Sequence, residues 1–139
     1  MITIVTKPTE SVLNIQFLKS HLRIEHDHED EYLKILIDTA TEILEKKICI
    51  SIIKKKYKYS GPPTKELPFQ PVIEICDQTE NETYFYAGIA DSSANVPADI
   101  MYAVLQIAKN MYECNDENIL ESMYVKHIIN SYRKMTICL

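Results

Sequence analysis

The sequence predicts a mainly α-helical fold, a bundle of about four helices with a small antiparallel β hairpin or sheet inserted between the second and third long helices. Apolar residues recur at helical spacing in four segments of the chain. Residues 50–88 are instead rich in β-branched and aromatic side chains and are interrupted by prolines. The length of 139 residues suits one domain, so we expect a single domain over residues 1–139.

Two helices are predicted in the N-terminal part of the chain. Residues 1–13 are an extended lead-in, and Asn14 is a suitable N-cap for a short helix over about 14–22. A second helix, about 28–47, begins with acids, which complement the helix dipole. Its apolar side chains keep one stripe at a period of 3.6 residues: Leu33, Leu36, Ile37, Ala40, Ile43, Leu44 and Ile48.

The β insertion is predicted over about 50–88 and is followed by two more helices. Residues 50–59, 72–76 and 83–87 are the strand candidates, separated by breaks that contain proline, glycine or polar residues. Pro97 suits the first position of a helix over about 97–114. A polar interruption at residues 115–118 separates it from a last helix over about 119–133.

The scarcity of glycine excludes two classes of nucleotide-binding enzyme. Only Gly61 and Gly88 occur, whereas phosphate-binding loops need closely spaced glycines for tight turns and close backbone approach. The cysteines are scattered: Cys49, Cys76, Cys114 and Cys138. They contain no C-x-x-C pair, so we predict buried free thiols in a reducing compartment. No apolar run is long enough to span a bilayer, and we expect no membrane partner.

No constellation of side chains predicts catalysis or a bound cofactor. His26 and His28 lie among acids, but metal ligands on one helix face are usually four residues apart, not two. His21 and His127 have no recognisable partner, and no motif indicates a reactive cysteine. We therefore expect no catalytic residue, no cofactor, no metal site and no enzymatic activity.

Charge is segregated along the chain, whose net charge is −5. Residues 25–31 hold five acids and no bases, while residues 54–58 hold four lysines and no acids. Unlike patches of this kind suit a head-to-tail contact between copies, in which charge fixes the register. The predicted subunit interface consists of Asp27, Glu29, Asp30, Glu31, Lys54, Lys55, Lys56 and Lys58.

A second interpretation concerns residues 54–59, where four lysines are interleaved with two tyrosines. Basic and aromatic side chains on one strand can follow a phosphate backbone and stack on bases, so a small nucleic-acid-binding module is the alternative function. The acidic balance of the whole chain opposes it, because dedicated nucleic-acid binders carry a strongly basic face. Lysines also protect exposed strands from edge-to-edge pairing.

Three blocks of the sequence, in order, resemble the head–tail connector (adaptor) proteins of tailed phages. Residues 18–24 read Leu-Lys-Ser-His-Leu-Arg-Ile and precede an acidic run, as in the opening helix pair of that family. Residues 67–75 are similar to its Leu-Pro-x-x-Pro-Val strand entry. Residues 96–105 are similar to its Val-Pro-x-x-Ile helix, which ends in a tyrosine, here Tyr112. Residues 46–49 lack the glycine that the family often has after the second helix.

The resemblance implies a structural virion protein at the head–tail junction, present in the host cytoplasm during assembly. Such subunits form a ring, commonly dodecameric, that docks on the portal protein and extends the DNA channel towards the tail. A head-closure or tail-completion protein then binds the ring, and DNA passes through without specific binding. The likeness of Tyr132 and Arg133 to a Tyr-Arg pair near the family's C-terminus implies a contact with the portal.

Overall fold

The structure, a computed structural model, describes residues 2–6, 11–62, 69, 71–113 and 123–135. It contains helices packed together and one antiparallel sheet, with a short 3-10 turn at Ser93–Asn95 before the third helix. In chain order the elements are β1 (Ile2–Thr6), α1 (Ile15–Leu22), α2 (Asp30–Ile48), β2 (Lys55–Ser60), β3 (Val72–Gln78), β4 (Glu82–Ala87), α3 (Ala98–Tyr112) and α4 (Met123–Met135).

The fold is mixed α/β, so the prediction of a mainly helical protein was wrong in that respect. All four expected helices are present, and the sheet contains four strands in the order β1-β2-β4-β3. The additional strand is β1, which the sequence indicated only as an extended lead-in. It pairs antiparallel with β2 and places Ile4 opposite Tyr57. Three of the strands do lie between α2 and α3 in the sequence, where the insertion was predicted.

Local signals in the sequence account for the ends of the first two helices. The predicted cap of α1 is confirmed, because the Asn14 side chain accepts a hydrogen bond of 2.8 Å from the backbone N–H of Gln16. Helix α2 ends at Ile48 and is followed by Cys49 in the left-handed region, with φ of 55°. Glycine is usual at a left-handed position after a helix, and here a cysteine occupies it.

Helices α2, α3 and α4 bury the main apolar core, as the periodicity predicts. The stripe of α2 meets side chains of α3 and α4, and Val12, Leu13 and Leu18 close one end of the core. Each large apolar side chain buried in this way contributes about 1.5–3 kcal/mol. The contacting side chains of α3 and α4 are Ile100, Ala103, Val104, Ile107, Ala108, Val125, Ile128 and Ile129.

The sheet has a separate and much smaller core on one of its faces. Tyr57, Phe85 and Ala87 are buried there, and the Phe69 ring stacks on Tyr57 with centroids 4.9 Å apart. The opposite face, called the outer face below, carries no such cluster among the described residues. The segment before β2 and the segment after β4 connect the sheet with the helices and cross each other. At the crossing, the backbone N–H of Lys54 donates to the carbonyl oxygen of Ala90 at 2.9 Å.

The crossing of these segments requires a residue without a side chain. A Cβ atom added to Gly88 would lie 2.4 Å from the Cα of Lys54, well inside any normal contact. The cysteines depart from the sequence prediction of buried thiols: Cys49 is half-buried and Cys76 is exposed. Cys76 lies on β3, at an edge of the sheet, where the register shifts between Ile75 and Asp77. Cys114 and Cys138 lie outside the described residues.

Candidate assembly surfaces

The outer face of the sheet carries a row of lysines. Side chains of β2 alternate between its two faces, so Tyr57 points into the sheet core while Lys56 and Lys58 lie on the outer face. Lys56 is paired with Tyr86 of β4, and Lys58 with Tyr84. Lys54 lies over the Tyr86 ring and therefore extends the same row. We call Lys54, Lys56 and Lys58 the lysine row.

Aromatic rings support the ammonium groups of the lysine row. The Nζ atom of Lys54 lies 5.0 Å from the centroid of Tyr86, and that of Lys56 lies 5.6 Å from the centroid of Tyr84, within the range of cation–π attraction. Lys58 also forms an ion pair of 3.1 Å with Glu82, whose hydrogen bond raises the pKa of Lys58. Within the described parts of the chain, Lys54 and Lys56 have no carboxylate at ion-pair distance.

Lys55, which was predicted for the subunit interface, does not lie on this surface. Strand alternation turns it inward, where its Nζ donates to the carboxylate of Glu45 at the end of α2. Both side chains are buried, with 7% and 5% of their surface exposed. Burial raises the pKa of Glu45, and it also raises that of Tyr57, whose hydroxyl lies 3.1 Å from the Ser51 hydroxyl.

The same alternation removes the support for a nucleic-acid-binding strand at residues 54–59. Such a strand needs aromatic rings free to stack on bases. Tyr57 is only 2% exposed and is stacked between Phe69 and Phe85 in the sheet core. The lysines and the Tyr57 ring therefore lie on opposite sides of the sheet.

The acidic start of α2 is largely neutralised within the chain. Lys19, whose side chain is nearly buried, forms ion pairs with Asp27 at 2.6 Å and Asp30 at 2.5 Å. The hydrogen bond from Lys19 lowers the pKa of Asp27. The Tyr112 hydroxyl donates to Glu29 at 2.8 Å. Of the four acids predicted for the interface, Glu31 is the one that is exposed and has no partner of this kind among the described residues.

The predicted acidic and basic patches do not meet within one chain. Asp30 begins α2, whereas Glu45, which holds Lys55 and hence the base of β2, lies near its end. At a rise of about 1.5 Å per residue, these two positions are about 22 Å apart along the helix. A contact between the helix start and the lysine row therefore requires two copies.

Tyr132 is held inside the protein by Asp99. Its hydroxyl donates to the Asp99 carboxylate, whose two oxygens lie 3.0 and 3.1 Å away, and this bond ties α4 to the first turn of α3. Burial and this hydrogen bond raise the pKa of Tyr132 to about 12. Arg133 is the next residue of α4. The structure thus gives Tyr132 a role in helix packing, which sequence reasoning missed.

A second charged surface was also missed, although the sequence contains its signal. Glu31, Ile35, Asp38 and Glu42 recur at helical spacing on the side of α2 opposite the buried stripe, and all four are exposed. Ile35 is 64% exposed, and Asp38 accepts a hydrogen bond of 2.9 Å from the Ser11 hydroxyl. We call these four residues the acidic stripe. The sequence shows this pattern once the apolar stripe is assigned to the core.

Neither a metal centre nor a membrane segment emerges from the described ranges. No three His, Cys, Asp or Glu side chains within them come together in a way that could hold a metal ion. The helices in those ranges are too short or too polar to cross a bilayer.

An open groove between the start of α1 and the first turns of α2 is lined by Ser11, Leu13, Asn14, Ile15, Asp30, Glu31, Lys34 and Ile37.

Solved structures with the same fold come from gene transfer agent particles. A chain in the neck of the empty gene transfer agent (GTA) particle, computed with C6 symmetry, aligns with a TM-score of 0.69 and 18% identity, covering 81% of this chain and 84% of that one. A chain in the neck of the native particle, computed with C12 symmetry, gives 0.64 and 17%, covering 81% and 83%. Comparison with curated protein sequences gives no match.

The resemblance of the three sequence blocks is confirmed at the level of the family. The model of the phage gp6-like head-tail connector proteins matches residues 13–138, nearly the whole chain. The shared fold of the neck chains agrees with this match. The chain therefore belongs to the phage gp6-like head–tail connector family, structural proteins of the virion's head–tail junction.

Proposed function

We propose that this chain is the subunit of a ring that docks on a portal protein and extends the DNA channel towards the tail. The observation that carries the proposal is the family match over residues 13–138. The fold of GTA neck chains, one of them in a particle computed with C12 symmetry, supports a closed ring of about twelve copies. The face of the ring away from the portal would receive a head-closure or tail-completion protein.

The subunit has a structural role without catalysis in this proposal, and DNA passes it without specific binding. A net charge of −5 supports that role, because an acidic subunit repels the phosphate backbone. The buried position of Tyr57 supports it too, since the strand lacks a free stacking ring at that position.

The end of α4 is the proposed portal contact. Asp99 holds Tyr132, and hence the helix carrying Arg133, in a fixed position. In this arrangement Tyr132 positions the helix, while Arg133 supplies the charge that a portal surface would recognise.

The test is to image the purified protein by negative-stain electron microscopy and to measure its mass by light scattering, alone and with a portal. We expect a closed ring and a stable complex with the portal. The variant Arg133→Glu should weaken portal binding and leave the ring intact, whereas Lys126→Glu, an exposed position on the same helix, should bind as wild type does. A strict monomer without affinity for any portal would overturn the proposal.

A further inference from the structure

Two exposed surfaces of opposite charge retain groups without an ionic partner after the chain has folded. On the acidic stripe, Glu31 and Glu42 form no ion pair within the described ranges, and on the lysine row the same holds for Lys54 and Lys56. The other acids predicted for the interface, Asp27, Glu29 and Asp30, are bound to Lys19 and Tyr112. The acidic stripe is therefore a better partner for the lysine row than the helix start.

The two surfaces also match in length and in the character of their centres. Glu31 and Glu42 are about 16 Å apart along a straight helix. Lys54 and Lys58 are about 14 Å apart along an extended chain. Each surface has an apolar middle, since Ile35 projects from the acidic stripe and the rings of Tyr84 and Tyr86 lie beneath the lysines. A helix laid along β2 could thus pair its charges while covering these rings.

Within one chain, the described residues form no ion pair between these two surfaces. The acidic stripe faces away from the bundle core, and the lysine row faces away from the sheet core. A head-to-tail arrangement of identical copies brings two such unlike surfaces together, and it closes into a ring if the rotation permits.

We propose that the acidic stripe of each subunit lies along the lysine row of the next subunit in the ring. This inference rests on the proposed ring function and specifies its subunit contact, with a second copy of the chain as the occupant. The outer face itself fixes the position of the helix. Glu74 and Asp77 of β3 lie on that face beside Tyr86 and Tyr84, so they repel an acidic helix from the β3 side and leave it over β2.

The test is charge reversal on each surface and on both together. Lys54→Glu/Lys56→Glu makes both surfaces acidic, and Glu31→Lys/Glu42→Lys makes both basic. Each double variant should lose the ring at the protein concentration at which the wild type assembles. The quadruple variant, in which the charges are exchanged, should recover it. An equimolar mixture of the two double variants should recover it as well, because each then meets the opposite charge on the other.

The matched control is Glu25→Lys/Glu113→Lys, which makes the same charge change at exposed positions off the stripe and should assemble as wild type does. Circular dichroism and thermal melting establish that every variant is folded. If folded double variants form the wild-type ring, the contact is wrong while the proposed function stands. The contact is also wrong if neither the quadruple variant nor the mixture recovers the ring. A wild-type chain that forms no ring, alone or with a portal, overturns both.

Discussion

The helical bundle and the sheet are stabilised in different ways. The bundle has one apolar core to which its helices contribute, and Leu44, Ile107 and Val125 are fully buried in it. The sheet has a core of few side chains, and a buried polar pair, Glu45 with Lys55, is one of its links to α2. Apolar burial tolerates some loss of contact, whereas a buried charge without its partner is strongly unfavourable. The contact between the sheet and α2 should therefore be more sensitive to mutation than the small number of residues in it suggests.

The largest effect is expected from Lys55→Met, which leaves Glu45 buried without its cation. The free energy of unfolding at pH 7 should fall by about 3–5 kcal/mol, as measured by urea denaturation. The loss should shrink as the pH is lowered. Without the ammonium group the pKa of Glu45 rises further above its unfolded value, so protonation stabilises the folded variant at acidic pH.

The control for this prediction is the double variant Glu45→Leu/Lys55→Met, which removes both charges. It should recover most of the lost stability, because an apolar pair of similar volume has no unpaired charge to bury. A double variant as unstable as Lys55→Met would show that packing, and not charge pairing, fixes the sheet to α2.

A somewhat smaller effect is expected in the bundle. Ile107→Ala removes a fully buried side chain of α3 and leaves a cavity, which should lower the free energy of unfolding by about 2–5 kcal/mol. This loss should be the same at pH 5 and pH 7, in contrast to that of Lys55→Met, since no titrating group is involved. Ile35→Ala, on the exposed side of α2, is the matched control and should cost less than about 0.5 kcal/mol. Equal losses at both positions would contradict the assignment of the core.

The smallest effect concerns the ion pairs at the start of α2. Lys19 lowers the pKa of Asp27 below its ordinary value of 3.8, so the pair contributes stability above that value and loses it as the pH falls through the folded pKa. The melting temperatures of wild type and Lys19→Met should therefore converge as the pH falls below about 4. The control is Lys34→Met, at an exposed lysine of α2, whose melting temperature should differ from that of wild type by the same amount at every pH.

The helices were predictable because each carries its own signal. The apolar stripe of α2 and the cap at Asn14 are local patterns, and the structure has both. Strand β1 was not predictable in the same way, since residues 2–6 become a strand through pairing with residues 50 or more positions later. The sheet therefore has one strand more than the insertion itself provides.

The candidate surfaces were predictable only in part. The lysine block at residues 54–58 was recognised, but treating it as one patch ignored the alternation that turns Lys55 inward. The pairing of Lys19 with Asp27 and of Tyr132 with Asp99 depends on how the helices pack, which no local pattern encodes. The acidic stripe could have been found from the sequence, because its spacing complements the predicted core face of α2.

The pairing of β1 with β2 bears on how the chain reaches its folded state. Ile2 meets Tyr59 across a long separation, whereas Ser60 of β2 meets Glu82 of β4 across a much shorter one. Closing the longer loop costs more entropy, so we expect β1 to join the sheet after β2 and β4 have paired. Until then β2 is an open edge, and such edges invite pairing with other chains. The lysines of β2 would oppose such pairing, and hence aggregation, in newly made copies before the same charges contribute to assembly.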